Sequence, residues 1–330
     1  MALNLEFAEV VEKSGSSVFD IAEKVTYNRS LTAEEKEVYE ISDAFAREVG
    51  RTGRDVNADI AAFVVKTINE ELYNAPDELL DTLFTRGSIG EFDQIEYQET
   101  IKNTLEVHES AKGGTVDRSW LDVSYSPVFT KNYQVETDLS FVDLRKNGFK
   151  AISNLTVAMT EALKNKLFFD VFSIVDGAIV GGDQLITAGG AVPTQAAWDQ
   201  MSLYLLDRNP SDSVAVCLSK YAQALGRMTG RQYSEKMMDD FNRYGLVNWA
   251  DGVRIASISG AKKTGRGELL LPDKRIFGCA GAIGSLDMVG ETHVYQDEDT
   301  SNDKIILRAK DFTATVGLTN MDNICKMVLA

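Results

Sequence analysis

The chain has 330 residues, with 34 Lys plus Arg against 50 Asp plus Glu and a formal net charge of −16. Hydrophobic residues make up 44% and charged residues 25%, an ordinary globular composition, and the length fits about two domains or one elaborate one. The acid excess excludes a surface built to grip nucleic acid, because neutralising phosphates needs clustered Lys and Arg. His108 and His293 are the only histidines, too few for most His-based metal centres, and neither has a nucleophile or acid at motif spacing. Cys217, Cys279 and Cys325 stand alone in apolar runs (VAVCLS, IFGCAGA, NICKMV). That predicts buried thiols in a reducing compartment, and the odd count argues against a disulfide framework.

The first residues, MALNLEFAEVVEK, carry acids where a signal peptide would carry Lys or Arg. The most apolar stretch, residues 155–180, is interrupted by Glu161, Lys164, Lys166, Asp170 and Asp176. It is not a membrane span, which needs about 20 apolar residues. A soluble chain made inside the cell is expected.

Residues 1–80 read as helical and acidic, with 17 acids and 8 bases, so 8 − 17 = −9 of the net charge lies there. Thr32 and Glu35 form a capping-box pattern. Val38, Ile41, Phe45 and Val49 follow at helical spacing, and Gly50 is read as the stop. A second helix is predicted from about Asp55, and a third from Pro76 through Leu83. From Ile95 to Val107 and from Leu121 to Val135 the pattern changes to a period of two, which predicts two strands with one apolar face. The segment SAKGGTVDRS between them, with its Gly-Gly pair, reads as a flexible tip. Each leg of this hairpin has about 15 residues, against a usual strand of about 5–6. A two-stranded ribbon of that length is marginal alone, so its apolar stripe needs a cover.

A long helix follows, with Asp143 as candidate cap and Gly177 as candidate stop. Its stripe is Leu144, Ile152, Leu155, Met159, Leu163, Leu167, Val171 and Val175, at spacings that suit a helix lying along a sheet better than a coiled coil. Residues 177–193 read as a Gly- and Ala-rich loop. Residues 194–290 alternate helices (Gln195–Arg208, Lys220–Met228, Ser234–Tyr244) with strands (Val214–Leu218, Val253–Ile258, Arg275–Cys279). Residues 292–329 return to strands at His293–Gln296, Lys304–Ala309, Phe312–Val316 and Ile324–Leu329.

No motif carries chemistry. GCAGAIG around Gly278 is not a dinucleotide fingerprint and lacks a P-loop lysine. Asp297, Asp299, Ser301 and Asp303 alternate like the start of a calcium loop. Asn302 and Arg308, however, occupy the places an EF-hand gives to Gly and Glu, so a polar hairpin turn is expected. Lys262, Lys263 and Arg266 form the densest basic cluster, read as an exposed loop or subunit contact. No catalytic, cofactor or metal residues are expected.

The order of arm, IEYQETIKNTLEVHESAKGGTVDRSWLDVSYSPV hairpin, LRKNGFKAISNLTVAMTEALKNKLFFDVFSIVD helix, α/β region and closing KIILRAKDFTATVGLTNMDNICKMVL strands resembles the major capsid proteins of tailed bacteriophages. The resemblance implies an α+β Hong Kong 97-type fold. Its parts would be an N-terminal helical arm (1–84), an extended β-hairpin or E-loop with a peripheral-domain strand (85–142) and a long spine helix of the peripheral β domain (143–189). An axial α/β domain (190–290) and returning peripheral strands (291–330) would complete it. It further implies a homo-oligomer of pentamers and hexamers in an icosahedral shell around double-stranded DNA. The protein would be made in the host cytoplasm and found in the virion, with scaffolding, portal or decoration proteins as partners and no membrane. Packaged DNA would be contacted only weakly, across an acidic inner wall. The E-loop would lie across the adjacent subunit. Its tip contacts would be Lys112, Gly113, Gly114 and Arg118, and its apolar stripe Ile101, Leu105, Val107, Leu121, Val123 and Tyr125. Lys112 is also where a crosslinking family member would carry its lysine, though no context for an acceptor Asn or a catalytic acid is visible. With Met at position 1, residues 1–80 are expected to be retained. Two other readings stand beside this one: an encapsulin-type cargo shell of the same fold, and an α/β enzyme using residues 190–290.

Overall fold

The computed structural model describes residues 18–52, 57–74, 77–90, 93, 97–102, 104–105, 119–228, 241–242, 245–299 and 302–330. Among these, the N-terminal quarter forms helices α1 (Val18–Thr26), α2 (Ala33–Thr52), α3 (Asn57–Asn69) and α4 (Glu78–Leu83). The capping box at the start of α2 is formed in both directions. The Thr32 N–H donates to Glu35 Oε2 at 2.9 Å, and the Glu35 N–H to Thr32 Oγ1 at 3.3 Å. Lys24 of α1 donates to Glu35 Oε1 at 2.6 Å, which joins the two helices.

Two predicted boundaries change. Helix α2 continues past Gly50 to Thr52, because the glycine serves close approach instead of termination: a Cβ there would stand 2.9 Å from the Arg145 backbone nitrogen. Helix α4 begins at Glu78, two residues after the predicted Pro76 start. The cap is Asp77, whose Oδ1 accepts from the Leu79 and Leu80 N–H groups at 3.2 and 3.1 Å.

The strands form two sheets. The first contains β1 (Phe84–Ile89), β2 (Tyr97–Lys102), β3 (Asp122–Ser140), β9 (Gly284–Val289), β10 (His293–Asp299) and β11 (Lys304–Leu318). The second runs in the order β4 (Leu185–Ala188), β12 (Ile324–Leu329), β8 (Arg275–Ala280), β5 (Ser213–Leu218), β7 (Val253–Ile258) and β6 (Trp249–Ala250). Strand β11 is the axis of the first sheet. It pairs antiparallel with β3 over Lys304–Gly317, with β10 over Lys304–Lys310 and with β9 over Thr313–Leu318. The two short strands predicted at Lys304–Ala309 and Phe312–Val316 are thus one strand. A bulge falls between Ala309 and Phe312, where Asp311 adopts φ 66°.

The second sheet is buried at its centre. All six residues of β5 are buried, and α7 (Gln195–Arg208) packs Trp198, Met201 and Leu205 against the core. The side chain of Thr194 accepts from the Ala197 N–H and caps α7 at the predicted start. Helix α8 (Ser219–Gly226) follows β5 directly. The predicted helix at 234–244 lies mostly outside the described residues. The predicted domain boundaries do not match the sheets. Residues 284–289 precede the expected return at 291 yet belong to the first sheet, whereas Ile324–Leu329 sits between β4 and β8 in the second. Segment 177–193, read as a loop, supplies β4. Both take interior places, β9 between β1 and β11 and β12 between β4 and β8, and local sequence pattern does not record that choice.

The long helix connects the sheets, and it is not continuous. Helix α5 (Phe141–Asn147) is capped by Ser140, whose Oγ accepts from the Val142 N–H, and not by Asp143 as predicted. Helix α6 (Phe149–Ala178) starts after a break at Gly148, which takes φ 54°, and runs through the predicted Gly177 stop to Ala178. Its 30 residues span about 45 Å at 1.5 Å each. The predicted stripe is the buried one: Ile152, Met159, Leu163, Leu167, Val171 and Val175 are all in the core.

Both ends of α6 are held by distant residues. At the start, the Phe149 N–H donates to Asp43 Oδ1 at 3.1 Å, and Arg47 Nε is 2.7 Å from Asp43 Oδ2. Arg145 Nε donates to the Gly50 carbonyl at 2.7 Å. At the other end, the buried Lys326 of β12 donates to the Asp176 carbonyl at 2.7 Å and pairs with its carboxylate at 3.0 Å. A cation on the last carbonyls satisfies acceptors that the helix itself leaves open. Phe172 packs on Phe277 of β8 with ring centroids 5.8 Å apart.

The three cysteines are buried and unbridged. Burial pushes the Cys217 and Cys325 thiols up to about 12 and Cys279 higher still. A thiol-specific chromophoric reagent at pH 8 is therefore expected to leave all three unlabelled over minutes in the folded chain and to label all three after unfolding. Rapid labelling of any one in the folded state would contradict this burial.

Two stability predictions follow from the helix contacts. Asp43→Ala is expected to cost about 1 kcal/mol as a lost cap. Gly148→Ala is expected to cost about 2 kcal/mol or more, because φ is positive there and the new Cβ would overlap the Asp43 carboxylate. In denaturant titrations the double variant should lose clearly less than the sum, since removing Asp43 relieves the clash. The Lys24 hydrogen bond, then the Thr32 backbone bond, hold the Glu35 carboxyl below its ordinary value of 4.5. Its contribution is thus full above about pH 4.5 and is lost as pH falls through the lower folded value. Glu35→Gln should flatten that part of the acid-unfolding curve; an unchanged acid limb would refute the assignment.

Candidate functional site

Strand β3 is 19 residues long, about 63 Å at 3.3 Å each. Its two parts have different partners. Residues 128–140 pair with β11, and, among the described residues, 122–127 pair with β2 alone, Ile101 lying opposite Val123 and Tyr97 opposite Pro127. Pro127 thus falls where β3 changes partner, a place that tolerates a missing N–H. Gln98 of β2 accepts from the Ser285 hydroxyl at 3.0 Å, tying the base of the ribbon to β9.

The alternating apolar pattern is continuous along β3, but its surroundings are not. Tyr133 and Leu139 are buried. Tyr133 lies 5.5 Å from the ring of Phe312, and Phe312 lies 5.8 Å from Tyr73. Burial, reinforced by the charge of Asp170, pushes the Tyr133 phenol up. Lys131 pairs with Asp170 of α6 at 2.9 Å, so this half is fastened to the long helix. Beyond Val128 the cover ends. Tyr125, Val123 and Leu121 are exposed at 67, 41 and 46%, as is Leu105 at 53%, and Phe129, at the edge of the β11-paired part, is 44% exposed.

Among the described residues the most exposed large side chain of the ribbon is Trp120, at 76%, with its carbonyl accepting from Thr104 Oγ1 at 2.6 Å. Sequence periodicity passed over it because it precedes the first alternating position; a tryptophan bordering a period-two run was the available signal. Four sequence-derived stripe residues, Leu105, Leu121, Val123 and Tyr125, therefore share the exposed end of one ribbon. Ile101 lies opposite Val123 in the pairing. Val107 and the tip residues Lys112, Gly113, Gly114 and Arg118 lie outside the described residues, as does His108. Each large apolar side chain taken out of water contributes roughly 1.5–3 kcal/mol, so this end of the ribbon can drive docking onto another surface.

The remaining sequence candidates are dispersed. His293 is exposed in β10, opposite Lys310. Asp297 lies in β10 and Asp303 in the turn before β11, with Ser301 outside the described residues. Lys262, Lys263 and Arg266 occupy a loop held to α6 by the Asn165 amide, which donates to the Lys263 carbonyl at 3.3 Å. Among the described residues no group of three His, Cys, Asp or Glu is placed to hold a metal, and no helix is long and apolar enough to cross a membrane.

No protein-family model matches the chain, and no curated protein is similar to it in sequence. Solved structures do match in fold. The capsid structure of the cyanophage P-SCSP1u aligns with TM-score 0.53 at 11% identity, over 79% of this chain and 94% of that one. A structure from Gordonia phage Cozz aligns with TM-score 0.53 at 10% identity, over 76% of this chain and 84% of that one. One from Microbacterium phage Oxtober96 aligns with TM-score 0.52 at 11% identity, over 78% of this chain and 91% of that one. The α+β architecture built on β3, α6 and the two sheets is accordingly one that this chain shares with a cyanophage capsid structure.

Proposed function

We propose that this chain is the major capsid subunit of a tailed phage, a structural protein whose copies assemble into a closed shell around double-stranded DNA. One observation carries the reading beyond the fold. The outer end of the β2–β3 ribbon presents Trp120, Leu121, Val123 and Tyr125 to water, and none of the described residues of the same chain covers them. Ribbons of two strands are marginal by themselves. Large exposed apolar patches on a folded chain mark interaction surfaces. A neighbouring copy is the natural cover in a repeating shell, where the same contact recurs head to tail until the lattice closes. In this reading β2–β3 is the E-loop, α6 the spine helix, the first sheet the peripheral domain and the second the axial domain. The phage likeness favours this over a cargo-enclosing shell of the same fold. The excess of acid in residues 1–80, −9 by 8 − 17, suits an inner wall to which packaged DNA does not adhere.

Electron microscopy and sizing of the purified chain test the proposal. Particles far larger than the 36.3 kDa subunit are expected. Protein that stays monomeric under every assembly condition sinks it. The double variant Trp120→Ser, Tyr125→Ser should keep subunit stability within about 0.5 kcal/mol, since both side chains are solvated, and should lose particles. Normal particle yield from this variant would remove the ribbon from the assembly mechanism.

A further inference from the structure

Helix α7 turns Trp198, Met201 and Leu205 to the core, so its opposite side faces water. Leu203 stands in the middle of that outer side and is 61% exposed. Asp199 lies one turn before it and Asp207 one turn after it, both exposed. The two acids are eight residues apart, about 12 Å at 1.5 Å per residue. Asp199 is steadied by the Gln195 amide, which donates to its Oδ1 at 2.6 Å. Arg208, the one cation of the helix, lies 3.5 Å from the centre of the Tyr204 ring and donates to the Tyr204 carbonyl. The outer side of α7 is therefore an apolar knob between two acids.

A cavity of about 590 Å³ lies between the segment that precedes α7 and helix α8. Val192, Pro193, Ala224 and Met228 form its apolar part, and Lys220 and Arg227 line it as well. Lys220 is in the first turn of α8 and Arg227 is its C-terminal cap. They are seven residues apart, about 10 Å, and two helical turns bring them to one face. Both are exposed, and no acid is among the described lining residues. Lys220 pairs with Asp273 at 2.5 Å. Half-exposed pairs of this kind are weak, so Lys220 can serve another carboxylate at little cost. The cavity is an apolar socket between two cations.

We propose that the Leu203 knob of one copy enters the socket of a second copy. Three matches select that occupant: an apolar side chain meets an apolar floor, two acids meet two bases, and the two charge spacings agree within about 2 Å. Two knobs face to face would oppose acids to acids, and two sockets bases to bases. The contact therefore runs head to tail. After one such contact each copy still has a knob or a socket to offer, so the contact repeats from copy to copy until a ring closes. This rests on the shell reading and gives it a second contact, on the sheet opposite to the one that carries the β2–β3 ribbon.

Reversing the charges of the full chain tests it. One variant is Asp199→Lys, Asp207→Lys and the other Lys220→Glu, Arg227→Glu, each shown to be folded by its thermal melt. Under conditions where the wild type forms oligomers, each variant alone should lower their yield at least about tenfold. An equal mixture should restore the yield, because the reversed knob fits the reversed socket and the native knob fits the native one. Wild-type yield from either variant alone overturns this contact and leaves the shell reading standing. Loss in both without rescue by mixing also overturns it and gives the socket to another occupant. A wild type that never oligomerises overturns the contact and the shell reading together. A gentler check mixes Leu203→Cys copies with Ala224→Cys copies under mild oxidation. A disulfide joining those two peptides across copies is expected, and its absence from folded, oligomeric protein overturns the proposal.

Discussion

The two ends of helix α6 must find partners, and that requirement organises the rest of the structure. An α-helix leaves four N–H groups unsatisfied at its start and four carbonyls at its end. Here the start is met by Asp43, over a hundred residues upstream, and the end by Lys326, 150 residues downstream. Neither partner is replaceable at no cost. Asp43 is itself held by Arg47, and Lys326 is buried, so losing Asp176 would strand a charge away from water. The helix thereby fixes the arm against one sheet and the last strand against the other.

The ribbon is the counterpart of that order. Strand β3 is fastened to α6 and β11 over its inner residues and leaves them over its outer ones. The same alternation that buries Tyr133 and Leu139 exposes Val123 and Tyr125. The difference lies wholly in what stands opposite. A pattern that would be a defect in an isolated chain is, in the shell proposed above, a docking element.

Local chemistry was legible in the sequence. The Thr32–Glu35 capping box, the bounds of α7, the buried strand at Val214–Leu218 and the stripe of α6 all follow from spacing within a few residues, and all are present. The overall α+β arrangement and its capsid likeness were legible from element order. What was not legible depends on distant partners. Gly148 reads as a weak helix position until Asp43 is known to sit against it. Lys304–Leu318 reads as two strands because its two-residue interruption is a bulge against β3, visible only in the pairing. Gly284–Val289 was passed over because its alternation is short and its glycine reads as a turn. The assignment of Ile324–Leu329 to the second sheet is a matter of topology, which no local pattern encodes. Trp120 escaped notice for lying just outside a periodic run.

The position of β12 has a consequence for the order in which the molecule can form. This strand lies inside the second sheet, parallel to β4 and antiparallel to β8, and it carries the lysine that closes α6. Loop closure over such separations is slow and comes late. While residues 324–329 are still unmade on the ribosome, the sheet has an exposed gap and the long helix an open end. A chain cut short before Ile324 keeps both defects permanently, so a single late strand separates finished chains from truncated ones.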